Sequence, residues 1–318
     1  MIERIAGMQR FALVGALVAV SAFFAVFAPG FARAANFAAL LLNNFALLAI
    51  AALGMTLALS IGAIDLSLGT SVDVASLVFV GLSAHQVGVL PAMLGGLGAA
   101  LLVGAFNSAL IAGLGIAPFL ATLGTLFIGQ TVQQLATDGG QPVYLLNAAL
   151  PPLFSELAHG TLLRLPVPLW IVAVLAIAVH LALARSVFGR QGAALGAQPG
   201  VARYSGLPVA TLTAVTFVAS ALIYGVVGLL LSSMVKAYVP QAGNGYLLNA
   251  IGATFIGTTL SPSRRPGVMG TLFGVLLISL VANGLLLIGW NFYWQQVATG
   301  VLIFAVLAVS FVHNPRFR

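Results

Sequence analysis

The sequence predicts an all-α polytopic membrane protein with about ten transmembrane helices, and three observations predict it. First, 61% of the 318 residues are hydrophobic and 5% are charged, with a mean hydropathy of +1.14. Five acidic residues leave too few polar groups to cover a water-exposed surface. Second, the apolar runs are about 20 residues long rather than ten-residue alternations, which suits helices and excludes a barrel. Third, the twelve basic residues fall singly or in pairs between those runs, a pattern of membrane topology rather than a nucleic-acid face. In hydrocarbon every backbone N–H and C=O must find an internal partner, so runs of this length form helices.

In chain order the runs place spans near residues 11–29, 38–63, 69–85, 90–114, 117–135, 165–184, 208–233, 245–261, 267–290 and 293–312. The first follows a basic start, Met1 to Arg10. Ala32-Arg33-Ala34 offers small residues at signal-cleavage spacing, but the apolar stretch is longer than a signal core and further spans follow, so a retained start-transfer helix is the simpler account. From Asn36 to Gly69 the glycines and asparagines allow one span or a broken, re-entrant helix. The third and eighth spans are short. Between the fifth and sixth lies an outer segment, about 136–164, with Asp138-Gly139-Gly140-Gln141-Pro142 and a polar stretch from Glu156 to Gly160. Between the sixth and seventh lies an inner segment, about 185–207, which Gln198-Pro199-Gly200 divides into two short helical pieces. Most helix connections take about 2 to 8 residues, so a bland loop would not need this length. The whole reads as one transmembrane domain over residues 1–318.

With a cytoplasmic N-terminus, the inner side holds Arg4, Arg10, Arg185, Arg190, Arg203, Arg264, Arg265, Arg316 and Arg318, against Arg33, Arg164 and Lys236 outside. This positive-inside bias places both termini in the cytoplasm.

The polar residues bound the chemistry. Lys236 is the single lysine and lies in Met234-Val235-Lys236-Ala237-Tyr238, not in the glycine-rich turn of a phosphate-cradling loop, so any coupling to ATP must come from another chain. There is no cysteine, and the four histidines are scattered, so no metal is expected; paired carboxylates and a nucleophile with its base are also absent, which argues against an enzyme. Asp65, in Ile64-Asp65-Leu66-Ser67, suits the start of the helix through Gly69, its carboxylate accepting backbone N–H groups, with a gating role as the second reading. Asp73 lies two turns farther on, where a buried carboxylate is paired, neutral, or beside a water-filled path with a part in solute selection; a helix-end residue snorkelling to water is the competing reading. By type and depth, Asp73, Asn107, Thr122, Asn249, Asn283 and Gln295 are candidates to line a pathway; the competing reading for each amide is a hydrogen bond between helices. His180 is expected to bridge helices. Trp290, Phe292, Tyr293 and Trp294 mark a membrane interface.

Gly54-Met55-Thr56-Leu57 with Gly62-Ala63-Ile64-Asp65-Leu66-Ser67-Leu68-Gly69, then Ala117-Pro118-Phe119-Leu120-Ala121-Thr122-Leu123-Gly124, then Phe188-Gly189-Arg190 with Ala202-Arg203-Tyr204-Ser205-Gly206-Leu207, then Gly243 to Ile251, and finally Asn283-Gly284-Leu285 with Tyr293-Trp294-Gln295 form five blocks in order. In this arrangement the chain resembles the permease subunits of bacterial ABC importers for ribose and related sugars. The resemblance implies that residues 185–207 are the element seated on a cytoplasmic ATPase subunit, with Phe188, Gly189, Arg190, Gly196, Ala202, Arg203, Ser205 and Gly206 in it. It also implies a second permease copy, identical or not; a periplasmic or lipoprotein solute-binding protein; an inner-membrane location within the lipid bilayer; and ATP and magnesium on the partner ATPase, with no cofactor on this chain. Three departures stand out: Gly257 to Gly267 is a stiffer, basic turn, Asn249 replaces an acidic residue, and Leu286 replaces an asparagine; Asp73 stands where relatives carry a small neutral residue. These concern the solute, a ribose-like sugar or another small polar molecule, more than the architecture. The alternative is a secondary carrier or channel that works without ATP, for which Asp73 and His180 are the ionisable groups within spans.

Overall fold

The computed structural model describes residues 2–145, 150–261, 263 and 265–312. Arg264, Arg316 and Arg318, and the side chains of Arg4, Arg10 and Phe292, lie outside the described residues. The fold is helical, and a helix covers each of the ten predicted stretches: α1 (Ile2–Phe27), the run Ala34–Ser60, α4 (Leu68–Ala84), the run Val89–Gly113, α6 (Pro118–Ala136), α8 (Val167–Ala184), α11 (Val209–Val235), α12 (Asn244–Thr258), α13 (Val268–Leu287) and α14 (Phe292–Val312). Among the described residues, five of these runs are long and apolar enough to cross a membrane: Ala34–Ser60, Val89–Gly113, α8, α11 and α13.

The stretch from Asn36 to Gly69 resolves into a continuous helix and then a break. Within Ala34–Ser60, the helix α2 (Ala34–Ala39) passes through a π-helical segment, Leu40–Ala46, into α3 (Leu47–Ser60). The chain leaves helical geometry after Ser60, with Gly62 at φ +79°, a conformation that costs glycine little and other residues more. A second π-helical segment, Ala109–Gly113, ends the helix α5 (Val89–Ser108). Such segments concentrate at functional positions.

The predicted inner segment holds α9 (Val187–Ala197) and α10 (Pro199–Tyr204), parted at Gln198 as the Gln-Pro-Gly signal implies. The outer segment is more structured than a loop. It contains β1 (Val143–Tyr144), α7 (Pro152–His159), β2 (Thr161–Leu162) and β3 (Leu165–Pro166). Strand β1 pairs antiparallel with β4 (Ala237–Tyr238), Val143 opposite Tyr238, and β2 pairs with β3, Leu162 opposite Leu165.

Helix α4 is the centre of the bundle, packed by α5 and α11 and flanked by α6 and α12, while α3 lies against α11, α12 and α13. Helix α8 is peripheral, with 17% of its apolar window buried against 61% for α11. In lipid, apolar surface alone does not draw helices together, so close packing of small residues carries the association. A side-chain carbon on Gly54 would overlap the buried ring of Tyr224, one on Gly228 would overlap the carbonyl of Val72, and Gly257 and Gly270 lie backbone to backbone where α12 crosses α13. Since neither partner at that crossing has a flexible side chain to yield, Gly270→Val is expected to destabilise the folded chain by about 1–3 kcal/mol. Thermal unfolding in detergent checks this, with Gly300→Val, where a side-chain carbon meets nothing nearby, as the tolerated comparison.

Candidate functional site

The break between α3 and α4 joins its own side chains to those of two helices, α5 and α6. Asp65 is 1% exposed, and its Oδ1 accepts from the Ser67 N–H at 2.9 Å and the Ser67 hydroxyl at 2.6 Å. The helix itself begins at Leu68 with Ser67 in the capping position, so Asp65 works two residues upstream of the place the sequence suggested, as an acceptor that fixes the turn. From α5, the Asn107 amide donates to Ser67 Oγ at 2.7 Å. From α6, the Thr125 hydroxyl donates to Asn107 Oδ1 at 2.5 Å. Thr122 Oγ1, one turn earlier on α6, accepts from the Leu66 N–H at 3.1 Å. The start of α4 is thereby tied to α5 and α6 by hydrogen bonds between buried polar groups, which a low-dielectric interior strengthens, while the Ser71 hydroxyl in the first turn of α4 is buried without a partner among the described residues.

The inner segment is seated on this break. Ser186 begins α9, its hydroxyl oxygen accepting from the Gly189 N–H at 3.2 Å. Gly189 lies where a side-chain carbon would strike the carbonyl of Leu183, and Phe188 packs into the core beside it. At the other end of α9, a side-chain carbon on Gly196 would stand 2.7 Å from the Ser60 carbonyl oxygen and 2.9 Å from the Gly62 nitrogen. Ala202 is buried against Ile61 and Ala63 in the same apolar cluster. Gly206, at φ +74°, ends α10; its N–H donates to the Arg203 carbonyl and the Leu207 N–H to the Ala202 carbonyl, a left-handed closure typical of helix ends. Arg190, Arg203 and Ser205 are exposed. A cavity of about 420 Å³, lined in part by Gly62, Ala117, Leu195, Arg203 and Thr213, opens beside the break.

Within the first two turns of α4, the seam with α12 is equally close. Asp73 is 1% exposed, and its Oδ1 accepts from the Gly243 N–H at 2.7 Å, so a carboxylate 170 residues away caps the start of α12. Gly69 lies against the Asn244 side chain, where no side-chain carbon fits. Gln133 of α6 accepts through Oε1 from the Tyr238 hydroxyl at 3.0 Å and the Gln241 N–H at 2.9 Å, holding the connection from α11 to α12. Burial, and after it the Asp73 carboxylate, raise the Tyr238 phenol above its ordinary pKa, which keeps it a hydrogen-bond donor.

The six pathway candidates therefore part into two groups. Asp73, Asn107, Thr122 and Asn283 are buried at contacts between elements, whereas Asn249 and Gln295 are only half-buried, bonded to the Gly245 and Trp290 carbonyls. Asn283 and Asn36 exchange two amide bonds, 2.9 and 3.1 Å, between α13 and α2. Either Asn36→Ala or Asn283→Ala is expected to cost about 1 kcal/mol, and the double substitution less than the sum, because the bonds are shared; a double-mutant cycle on detergent unfolding checks this. His180 is exposed on α8 rather than placed between helices, at the rim of a cavity of about 300 Å³ that Ser261 and Arg265 also line. Trp290 and Trp294 meet edge to face at 5.7 Å, and Trp294 is exposed. Sequence reasoning missed Ser67, Thr125 and Gln133. A hydroxyl or amide at a helical spacing from a small residue, as Gln133 stands from Gly129, was the signal available.

A helical bundle with a hydrogen-bonded break at its centre and a structured inner segment resting on that break is the frame of a multi-pass membrane permease. The family described as branched-chain amino acid transport system, permease component, matches residues 37–307, and the chain belongs to that family, on its ribose-type ABC branch. It is 31% identical to a ribose import permease protein of Haemophilus influenzae over 270 residues, 83% of this chain and 82% of that protein. It is 30% identical to the ribose import permease protein of Bacillus subtilis over 263 residues, 83% and 81% of the two chains. A galactofuranose transporter permease protein of Escherichia coli is 30% identical over 271 residues, 85% and 78% of the two chains. No solved structure matches the chain. Membership, with the five apolar helices, makes this a multi-pass inner-membrane protein and a transport subunit.

Proposed function

We propose that this chain is the membrane-spanning subunit of an ATP-driven importer for a ribose-like monosaccharide or similar small polar solute, crossing the bilayer ten times with both termini in the cytoplasm. The single observation that carries the reading is the seating of α9 and α10 on the break between α3 and α4, backbone against backbone at Gly196 and Gly62. Their exposed arginines, Arg190 and Arg203, suit carboxylates on an ATPase partner, and a rigid seat lets a displacement of the segment reach α4 without being absorbed by side chains. ATP and magnesium belong on that partner. A second permease copy, with Asn249 and Gln295 on accessible faces, completes the pathway, and a soluble binding protein supplies solute at the outer mouth. Switching between outward and inward access is a population shift set by differential binding of the partners to the two states.

The test is a pull-down of the tagged chain from its native host in mild detergent, with mass spectrometry of what remains bound. Recovery of a P-loop ATPase is the expected result. Recovery of the chain alone, with uptake surviving ATP depletion, would establish a carrier or channel instead.

A further inference from the structure

The outer ribbon β2–β3 ends in a two-residue turn, Leu163-Arg164, with φ +51° and +66°. Turns of this hand take asparagine and glycine by preference, yet here they hold a leucine that is 78% exposed beside the exposed Leu162 and Leu165. The ribbon does not project into water away from the bundle. The indole N–H of Trp170 donates to the Leu162 carbonyl at 2.9 Å, and the Val167 N–H donates to the Gly160 carbonyl at 2.9 Å, so the ribbon is folded back beside the first turn of α8. Trp170 opens a stripe that continues through Val174, Ile177 and Leu181, all exposed, at the spacing of one helix face. That stripe is the outward side of the peripheral helix α8, and three large apolar side chains on it suit acyl chains.

We propose that the β2–β3 ribbon is a membrane-interface anchor, its leucines entering the boundary between headgroups and acyl chains and Arg164 reaching lipid phosphate. The proposal rests on the reading of α8 as a membrane span. Continuity with the lipid-facing stripe selects lipid over a soluble protein as the occupant, and the mixture of leucine, tryptophan and a single arginine is the chemistry of an interfacial segment. The consequence is mechanical. Helix α8 runs directly into α9 across Arg185 and Ser186, so an anchor at its outer end fixes the depth of the helix that carries the inner segment.

The chain contains no cysteine, so Leu163→Cys carries a single thiol for a bimane label in the purified full-length protein, reconstituted in nanodiscs of phosphatidylcholine and phosphatidylglycerol. Lipids brominated near the ester end of the acyl chain are expected to quench the label about twofold more than mid-chain brominated lipids, with aqueous iodide quenching weakly. Leu165→Cys provides the same reading should the first variant fail to elute as a monodisperse species. Free iodide quenching without bromolipid quenching, or a label that responds only when a soluble protein is added, overturns the anchor. Ile177→Cys, expected to respond to mid-chain bromine, separates the two levels: its failure to do so removes the lipid-facing assignment of α8 itself, whereas a lipid-quenched Ile177 label with a water-exposed Leu163 label removes only the anchor. Tyr204→Cys, on the 97% exposed Tyr204 of the inner segment, should respond to iodide alone.

Discussion

On the importer reading proposed above, a chain carrying Gly196→Val is expected to retain an ATPase partner and to lose solute uptake by about tenfold or more. The reason lies in what surrounds the missing side chain. The nearest atoms to a carbon at that position are the Ser60 carbonyl oxygen at 2.7 Å, the Gly62 nitrogen at 2.9 Å and the Ile61 carbonyl carbon at 3.0 Å. All are backbone, so the strain is relieved only by lifting α9 from the break or by opening the break, at about 1–3 kcal/mol, and 1.4 kcal/mol is already a tenfold change in an equilibrium. The outward face of the segment, where Arg190 and Arg203 are exposed, is untouched, so on that reading association with the proposed ATPase partner should persist while a displacement of the segment should no longer reach α4. Co-purification and vesicle uptake, measured on one preparation, check both halves. Gly200→Val, in the same segment with nothing near a side-chain carbon, should transport normally. Equal losses in the two variants would place the effect in the segment's own helices rather than in its seat.

Asp65→Ala is expected to be the most damaging single substitution at the break, costing about 2–4 kcal/mol. Removing the carboxylate leaves the buried Ser67 N–H and hydroxyl without their acceptor, and an unsatisfied buried donor costs about 1–3 kcal/mol by itself. The loss extends to α5 and α6, because the Asn107 amide relies on Ser67 Oγ and Thr125 on Asn107. Asp65→Asn retains an oxygen that accepts from the Ser67 N–H, so it should recover a large part of the stability. Thermal unfolding in detergent distinguishes the two. If both variants unfold alike, charge rather than the acceptor geometry holds the turn.

Much of the fold was legible because its causes are local. Runs long enough to cross hydrocarbon are forced into helix by the need to pair backbone groups inside the segment, and Gln198-Pro199-Gly200 parted α9 from α10 where it stands in the chain. The order of motifs pointed to the family that the comparisons then showed. The break was legible only as an alternative, since glycines and asparagines between Asn36 and Gly69 permit a π-helical passage as readily as an interruption, and the choice depends on what packs against Gly62. His180 misled for a related reason: an ionisable group in an apolar run implies a partner only if the helix is interior, and α8 is peripheral.

The sequence by itself determined the solvent of this protein, its helical class, the positions of its helices and the length of the segment that rests on the break. Those follow from hydropathy and backbone pairing, properties of a single segment. Tertiary structure alone decided which polar groups meet: Asn107 with Ser67 across 40 residues, Asp73 with Gly243 across 170, Asn36 with Asn283 across 247. It also decided that four of the six pathway candidates tie helices together. A hydrogen bond is directional and short, about 3 Å between heavy atoms, so its partners are chosen by the angle and rotation at which helices pack, and no periodicity within one helix encodes either.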